Sequence, residues 1–280
     1  RENDLIIGTF GRAAWVLDDI KPLRAIANGN VTNKKLQLFE PPVAYQAAFQ
    51  QPTGSRFGAD AMYQGENRKR GAIISYYINK PEQKKTETKK QNKGDGKNAV
   101  KHDSLKLEIF DGARLIRTLK MKTPKENGIH KTSWNLTEKG VARPSRTIRK
   151  TTREPSGVSV KPGVYKLKMT FGAVVSEQNI KVQFDPRLQI SKTAIDQKYT
   201  ASKLLEKHQE KMTNVVKQLV ESKNAAKTIQ SQLTKKDKKK YKDEIKSSKE
   251  IIKKIDDLID LYLGKVDKRQ GITRNPEVNV

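Results

Sequence analysis

The stretch SLKLEIFDGARLIRTLKM, residues 104 to 121, sets the architecture of the chain's middle. Leu105, Leu107 and Ile109 alternate with polar residues, the period-two signature of a strand with one buried face. Asp111-Gly112 follows, a dipeptide suited to the positive backbone angles of a tight hairpin turn, and the chain then returns as a second strand. Outward from this hairpin the same grammar repeats. GAIISYYINK (71–80) and IHKTSWNL (129–136) read as strands rich in β-branched and aromatic residues. VKPGVYKLKMTFG (160–172) and VVSEQNIKVQF (174–184) read as another hairpin. Val164, Leu167, Met169 and Phe171 are expected on its inner face, with an irregularity near Tyr165. Tyr76 and Tyr77 alternate across their strand, so one is expected inside and one outside. Six short strands with turn signals predict an antiparallel β-sandwich over 70–187, immunoglobulin-like in size. Its loop at 80–102, nearly devoid of apolar residues, is expected to be a disordered basic loop.

Upstream lies DLIIGTFGRAAWVLDDIKPLR, residues 4 to 24. Leu5-Ile6-Ile7 and Trp15-Val16-Leu17 flank a turn carrying Gly8 and Gly11, which reads as a hairpin. Two strands alone are marginal in water, so this pair calls for partners. Residues 25–69 read as a linker laid over a surface, with Pro41-Pro42 forcing an extended path. Downstream, 188–264 reads as an α-helical hairpin. Thr193 to Asp196 and Thr234 to Asp237 are read as capping boxes, and Gly264 as a C-cap. The first helix carries Ile195, Tyr199, Leu205, Met212, Val215, Val216, Leu219, Ala226, Ile229 and Leu233 at helical spacing. The second carries a heptad seam of Tyr241, Ile245, Ser248, Ile252, Ile255, Ile259 and Tyr262, as in a coiled coil. Leu204, Val220 and Ala225 are extra apolar positions that suggest a third surface. Residues 265–280 read as a tail without structure of their own.

Charged residues make up 32% of the chain and aromatics 6%, a balance that favours small domains plus exposed helix over one large globule. No run approaches the roughly 20 apolar residues of a membrane span, so no transmembrane segment is expected. With no cysteine, disulfides and thiolate metal sites are excluded. The net charge of +27 attracts polyanions, and Arg143, Arg146, Arg149, Lys150 and Arg153 form a basic strip that is the candidate contact for an acidic glycan or other polyanion. Asp18-Asp19 is an acidic pair, but neighbours on one strand point to opposite faces, so a turn role is favoured over acid–base work on a glycoside. His102, His130 and His208 match no metal-ligand spacing. No nucleophile elbow or phosphate loop is present. No catalytic, cofactor-binding or metal site is expected, and no cofactor. Trp15 and Trp134 both sit in strand-like runs and are expected to face inward.

Residues 4–12, then Trp15 to Asp19, then Pro22-Leu23-Arg24 resemble the last blade of the sortilin-type β-propellers of exported bacterial proteins, often named glycosyl hydrolases by automatic transfer. LFEPP, GAIISYYI, LKLEIFD, SWNL, PGVYKLKMTFG and FDPR stand in the order of that family's linker and sandwich. DKRQGITRNPEV near the end is similar to the linker after which its helical region continues. The chain departs from the family at Asn67-Arg68-Lys69-Arg70, where relatives carry Asn-Pro-Pro. The resemblance implies that residues 1–24 are the closing strands of a propeller blade, with Gly8, Gly11, Arg12, Trp15, Asp18 and Asp19 as its signature. It implies an exported protein (periplasmic, outer-surface or secreted) whose partners are the rest of its own propeller and another protein. The function expected is a non-catalytic scaffold and interaction region, bracing the propeller and presenting helices to a partner. One alternative is part of a propeller hydrolase acting on glycan or peptide, with its site in further blades. Another is polyanion binding through residues 143–153.

Overall fold

The computed structural model describes residues 3–11, 14–47, 70–80, 105–148, 151 and 153–266. The expected 80–102 loop and the 265–280 tail lie almost wholly outside these residues. In chain order the elements are β1 (Leu5–Gly8), β2 (Ala14–Leu17), α1 (Lys21–Ala27), β3 (Leu36–Leu38), β4 (Ala44–Gln46), β5 (Ala72–Ile78), β6 (Leu105–Asp111), β7 (Arg114–Met121), β8 (Gly128–Trp134), β9 (Thr137–Lys139), β10 (Ser156–Ser159), β11 (Gly163–Phe171), β12 (Val174–Phe184), α2 (Lys192–Asp237) and α3 (Lys242–Leu263). This is a mixed β and α chain in two units. One comprises Arg1–Lys139 and Ser159–Asp196, the other Gly140–Val158 and Gln197–Val280.

The first unit holds the sheets. One has five strands in the order β4-β12-β11-β6-β7, and the other three in the order β3-β5-β8. All pairs are antiparallel except β4 with β12. The six strands read from the sequence all form. Period-two alternation turns Leu105, Leu107, Ile109, Leu167 and Met169 of the larger sheet, and Ala72, Ile74, Tyr76 and Ile78 of the smaller, into one shared core. Trp134 is its largest fully buried side chain. Its indole N–H donates to the Thr137 carbonyl at 2.9 Å, and its ring meets Tyr165 edge-on at 5.6 Å. Tyr76 is buried and Tyr77 half-buried, its hydroxyl reaching the Thr32 carbonyl.

Three expectations are corrected here. Residues 25–69 are not merely laid over a surface. β3 and β4 lie within them, joining the smaller and larger sheet respectively, and Leu36, Leu38 and Ala44 enter the core. The Leu38 amide donates to Ser176 Oγ at 2.8 Å, so this crossing is stitched to β12 before Pro41-Pro42 carries it on to β4. Within β11, Tyr165 takes the inner face with Leu167, Met169 and Phe171, whereas Val164 is 61% exposed. The β11–β12 register is unbroken from Gly163 to Phe171, and Tyr165 satisfies its hydroxyl on the Lys161 carbonyl at 2.6 Å. The irregularity falls instead between Ile109 and Phe110, where β6 shifts against β7. Asp185 ends β12. The Arg187 guanidinium and backbone N–H hold its carboxyl down at about 2, and its Oδ1 caps the Arg187 amide at 3.0 Å.

The second unit holds the helix pair. Val216 and Val220 of α2 pack on Ile255 and Ile259 of α3, flanked by Leu219 and Leu263. Lys223 pairs with Asp256 across the seam. Val220 therefore belongs to the seam rather than to a third surface, while Leu204 and Leu205 are exposed. The expected capping boxes are displaced. Ser191 Oγ, two residues before Thr193, accepts the Ala194 amide at 3.2 Å, and Asp196 pairs instead with Lys161 at 2.9 Å. Thr234 bonds back to the Gln230 carbonyl inside α2. Asp237 Oδ1 takes the Lys239 and Lys240 amides and turns the chain. Gly264 caps α3 with φ 70°.

Candidate interaction surfaces

The opening hairpin stands on a polar base. β1 and β2 pair Leu5 with Leu17, Ile6 with Val16 and Ile7 with Trp15. Directly opposed residues share a face, so Leu5, Ile7, Trp15 and Leu17 lie on one side and Ile6 and Val16 on the other. Both sides are open: Ile6 is 68%, Val16 58% and Trp15 61% exposed, and Phe10 at the turn is wholly so. Trp15 therefore departs from its expected inward position. Covering each of these side chains would contribute on the order of 1 kcal/mol.

The base is tied down through the backbone of residues 18–20. Asp4 Oδ1 accepts the Asp19 amide at 2.8 Å, and the Ile20 amide donates to the Asn3 carbonyl at 2.7 Å. Lys131 of β8 reaches the Asp18 carbonyl at 2.6 Å, which fixes the hairpin's foot to the smaller sheet. Asp19 has φ 54°, a left-handed conformation that Asp and Asn tolerate through local hydrogen bonds. Its Oδ1 accepts the Lys21 amide at 3.3 Å, while its Oδ2 is buried with no partner among the described residues. Asp18 is half-buried and Asp19 buried, so the pair does not present two carboxylates to one bond. Gly8 and Gly11 shape the turn, Gly11 at φ 72°, whereas Arg12 lies outside the described residues.

Burial raises the Asp19 pKa; the Lys21 amide hydrogen bond, then the Lys21 and Lys131 charges, oppose this, and Asp4 adds to it. A raised folded-state value means that the protonated form suits the fold. That contribution is complete below the ordinary carboxylate pKa and is lost as pH rises through the folded value. Asp19→Asn, which keeps the Oδ1 acceptor and the backbone angle, should flatten the stability difference between about pH 4 and 7. Thermal melts at the two pH values check this; an unchanged pH dependence contradicts it.

The basic strip is split by its own contacts. Arg143 and Arg153 are exposed. Arg146 is engaged: it pairs with Asp260 of α3 at 2.7 Å and donates to the Gly264 carbonyl, clamping the helix C-terminus. The Ala142 carbonyl accepts Thr213 Oγ1 of α2 at 2.7 Å. Arg149 and Lys150 lie outside the described residues. His130 contacts the Glu126 carbonyl at 3.0 Å, His208 is exposed on α2, and His102 is outside the described residues. Among the described residues no cluster of potential metal ligands forms. No described helix is long and apolar enough to cross a membrane.

Sequence reading missed the Asp4–Asp19 and Lys131–Asp18 contacts, which join residues 15 and 113 positions apart and leave no local pattern. It also passed over the lysine run 235–242, visible in the sequence but absorbed into the general basicity of the helices. Comparisons with protein-family models, with curated proteins and with solved structures give no match.

Proposed function

We propose that this chain is a non-catalytic scaffold and interaction region of an exported β-propeller protein. β1 and β2 close a propeller blade, the two-sheet body is an immunoglobulin-like brace, and the helix pair faces a protein partner. The observation that carries this reading is the hairpin, apolar and uncovered on both faces, rooted by polar contacts in a body whose own core is sealed. A hairpin covered on one side only would suit the rim of an ordinary two-layer domain. One open on both sides suits a blade, which has a neighbour on either side. Among the described residues neither edge pairs with a third strand, which suits further strands in the same blade. The family assignment itself rests on the sequence resemblance, as does export.

The test is reconstitution of the chain with the remainder of the propeller it is proposed to close, supplied as a separate polypeptide. Binding is expected for the wild type and lost for Ile6→Asp combined with Val16→Asp. Retained binding by that variant, or no binding by the wild type, overturns the reading.

A further inference from the structure

The turn between α2 and α3 concentrates charge without using it. Lys235, Lys236, Lys238, Lys239, Lys240 and Lys242 fall within eight residues and all are exposed. Among the described residues none of the six forms an ion pair, although Lys203, Lys217 and Lys223 on the body of α2 all do. Lys235 and Lys236 complement the C-terminal end of the α2 dipole, which gives those two a structural role. Lys238, Lys239 and Lys242 have none, and Lys240 only lies over the neighbouring Tyr241 ring. Lys242 opens α3, where the helix dipole disfavours a cation. The carboxylate within the run, Asp237, is turned onto the backbone amides of Lys239 and Lys240. Counting Asp243 and Glu244 in the first turn of α3, residues 235–244 still carry a net charge of +3.

α3 is about 33 Å long, and its far end is the one Arg146 holds through Asp260 and Gly264. The lysines sit at its other end, at the apex of the helical hairpin. We propose that this apex is a contact site for an anionic lipid surface. The chemistry is that of point charges against a field of phosphates. No arginine occurs from 188 to 266 to clasp a phosphate or a guanine edge bidentately. The ring nearest the lysines, Tyr241, is half-buried with the Lys240 ammonium 5.6 Å from its centroid, and no other aromatic lies in the run to stack on a base. A convex apex of this kind meets a plane of headgroups better than it tracks a single strand. No aliphatic or other apolar side chain accompanies Tyr241 at the apex, so the contact is electrostatic and does not insert.

The whole chain tests this in vesicle co-sedimentation, with phosphatidylcholine–phosphatidylglycerol vesicles against phosphatidylcholine alone. The wild type should bind only the anionic vesicles and detach near 1 M salt, where screening acts within about 3 Å. Each lysine at an anionic surface multiplies partitioning by about five-fold. Replacing Lys238, Lys239, Lys240 and Lys242 with Gln should therefore weaken binding by more than about ten-fold even after partial screening. All four are exposed, so circular dichroism should be unchanged. A charge-matched control, with exposed Lys120, Lys122, Lys125 and Lys181 changed to Gln, should bind within about two-fold of wild type. Equal loss in both variants means net charge alone drives binding and overturns the proposal. So does absent wild-type binding, and so does duplex DNA that binds more tightly than the vesicles through the same four lysines.

Discussion

Gly71→Ala is expected to destabilise the sheet-bearing unit by about 3 to 5 kcal/mol, combining backbone strain with an unavoidable clash. Gly71 enters β5 at φ 90°, a conformation that side chains rarely adopt. A Cβ built there lies 2.2 Å from the Trp134 carbonyl oxygen. That oxygen belongs to the backbone at the end of β8, where Ala72 pairs with Trp134, and so cannot swing aside as a side-chain tip would. Relief must come from moving β5 away from β8, and that pulls the most buried aromatic residue out of register with its Tyr165 neighbour. At about 2 to 4 °C per kcal/mol, the melting temperature should fall by roughly 10 °C. Near-ultraviolet circular dichroism, which follows the packing of Trp134, should show the same transition. An unchanged melt would mean that Gly71 does not hold this conformation in solution.

The second large effect belongs to the helix-bearing unit. Gly140 and Gly157 cross with no room between them: a Cβ on Gly140 would lie 2.5 Å from Gly157 Cα and from the Ser156 carbonyl oxygen. The Gly140 amide donates to the Pro155 carbonyl at 2.9 Å, which closes the excursion from 141 to 154 at its neck. That excursion carries Arg146 to Asp260 and the Ala142 carbonyl to Thr213. Gly140→Ala should therefore open the neck and release the clamp on α3, at a cost of about 1 to 3 kcal/mol for the overpacking alone. Amide exchange in the last turns of α3 should accelerate while the β11–β12 ladder stays protected. Exchange that is unchanged in α3 would show that the neck does not position Arg146.

The alternation of Leu105, Leu107 and Ile109 and the Asp111-Gly112 turn are local signals, and the hairpin they predict forms with its turn in place. β3 and β4 are three residues each, too short for a period to register, and the parallel pairing of β4 with β12 has no connecting turn to announce it. Val164 and Tyr165 are both apolar enough for a core, and only the register with β12 chooses between them. Arg146 stood out in a basic strip by composition, yet the charge that answers it, Asp260, is 114 residues away. The hairpin was legible as a unit without a core of its own, because its residues carry strand propensity and no segment before residue 70 reads as a third strand of its sheet. What Asp19 does was not legible, since its partner Asp4 lies across the turn.

The proposed blade closure requires the opening hairpin to be covered by the rest of its own propeller, and its tryptophan reports on that directly. Trp134 is fully buried and Trp15 is 61% exposed, so comparing the wild type with Trp15→Phe isolates the Trp15 emission. Acrylamide quenching of this difference signal, recorded on the isolated 280-residue chain alongside its sedimentation, is the decisive measurement. Trp15 should be quenched as freely as tryptophan in solution and become shielded on adding the remainder of the propeller. A shielded Trp15 in a chain that sediments as a monomer would contradict the account.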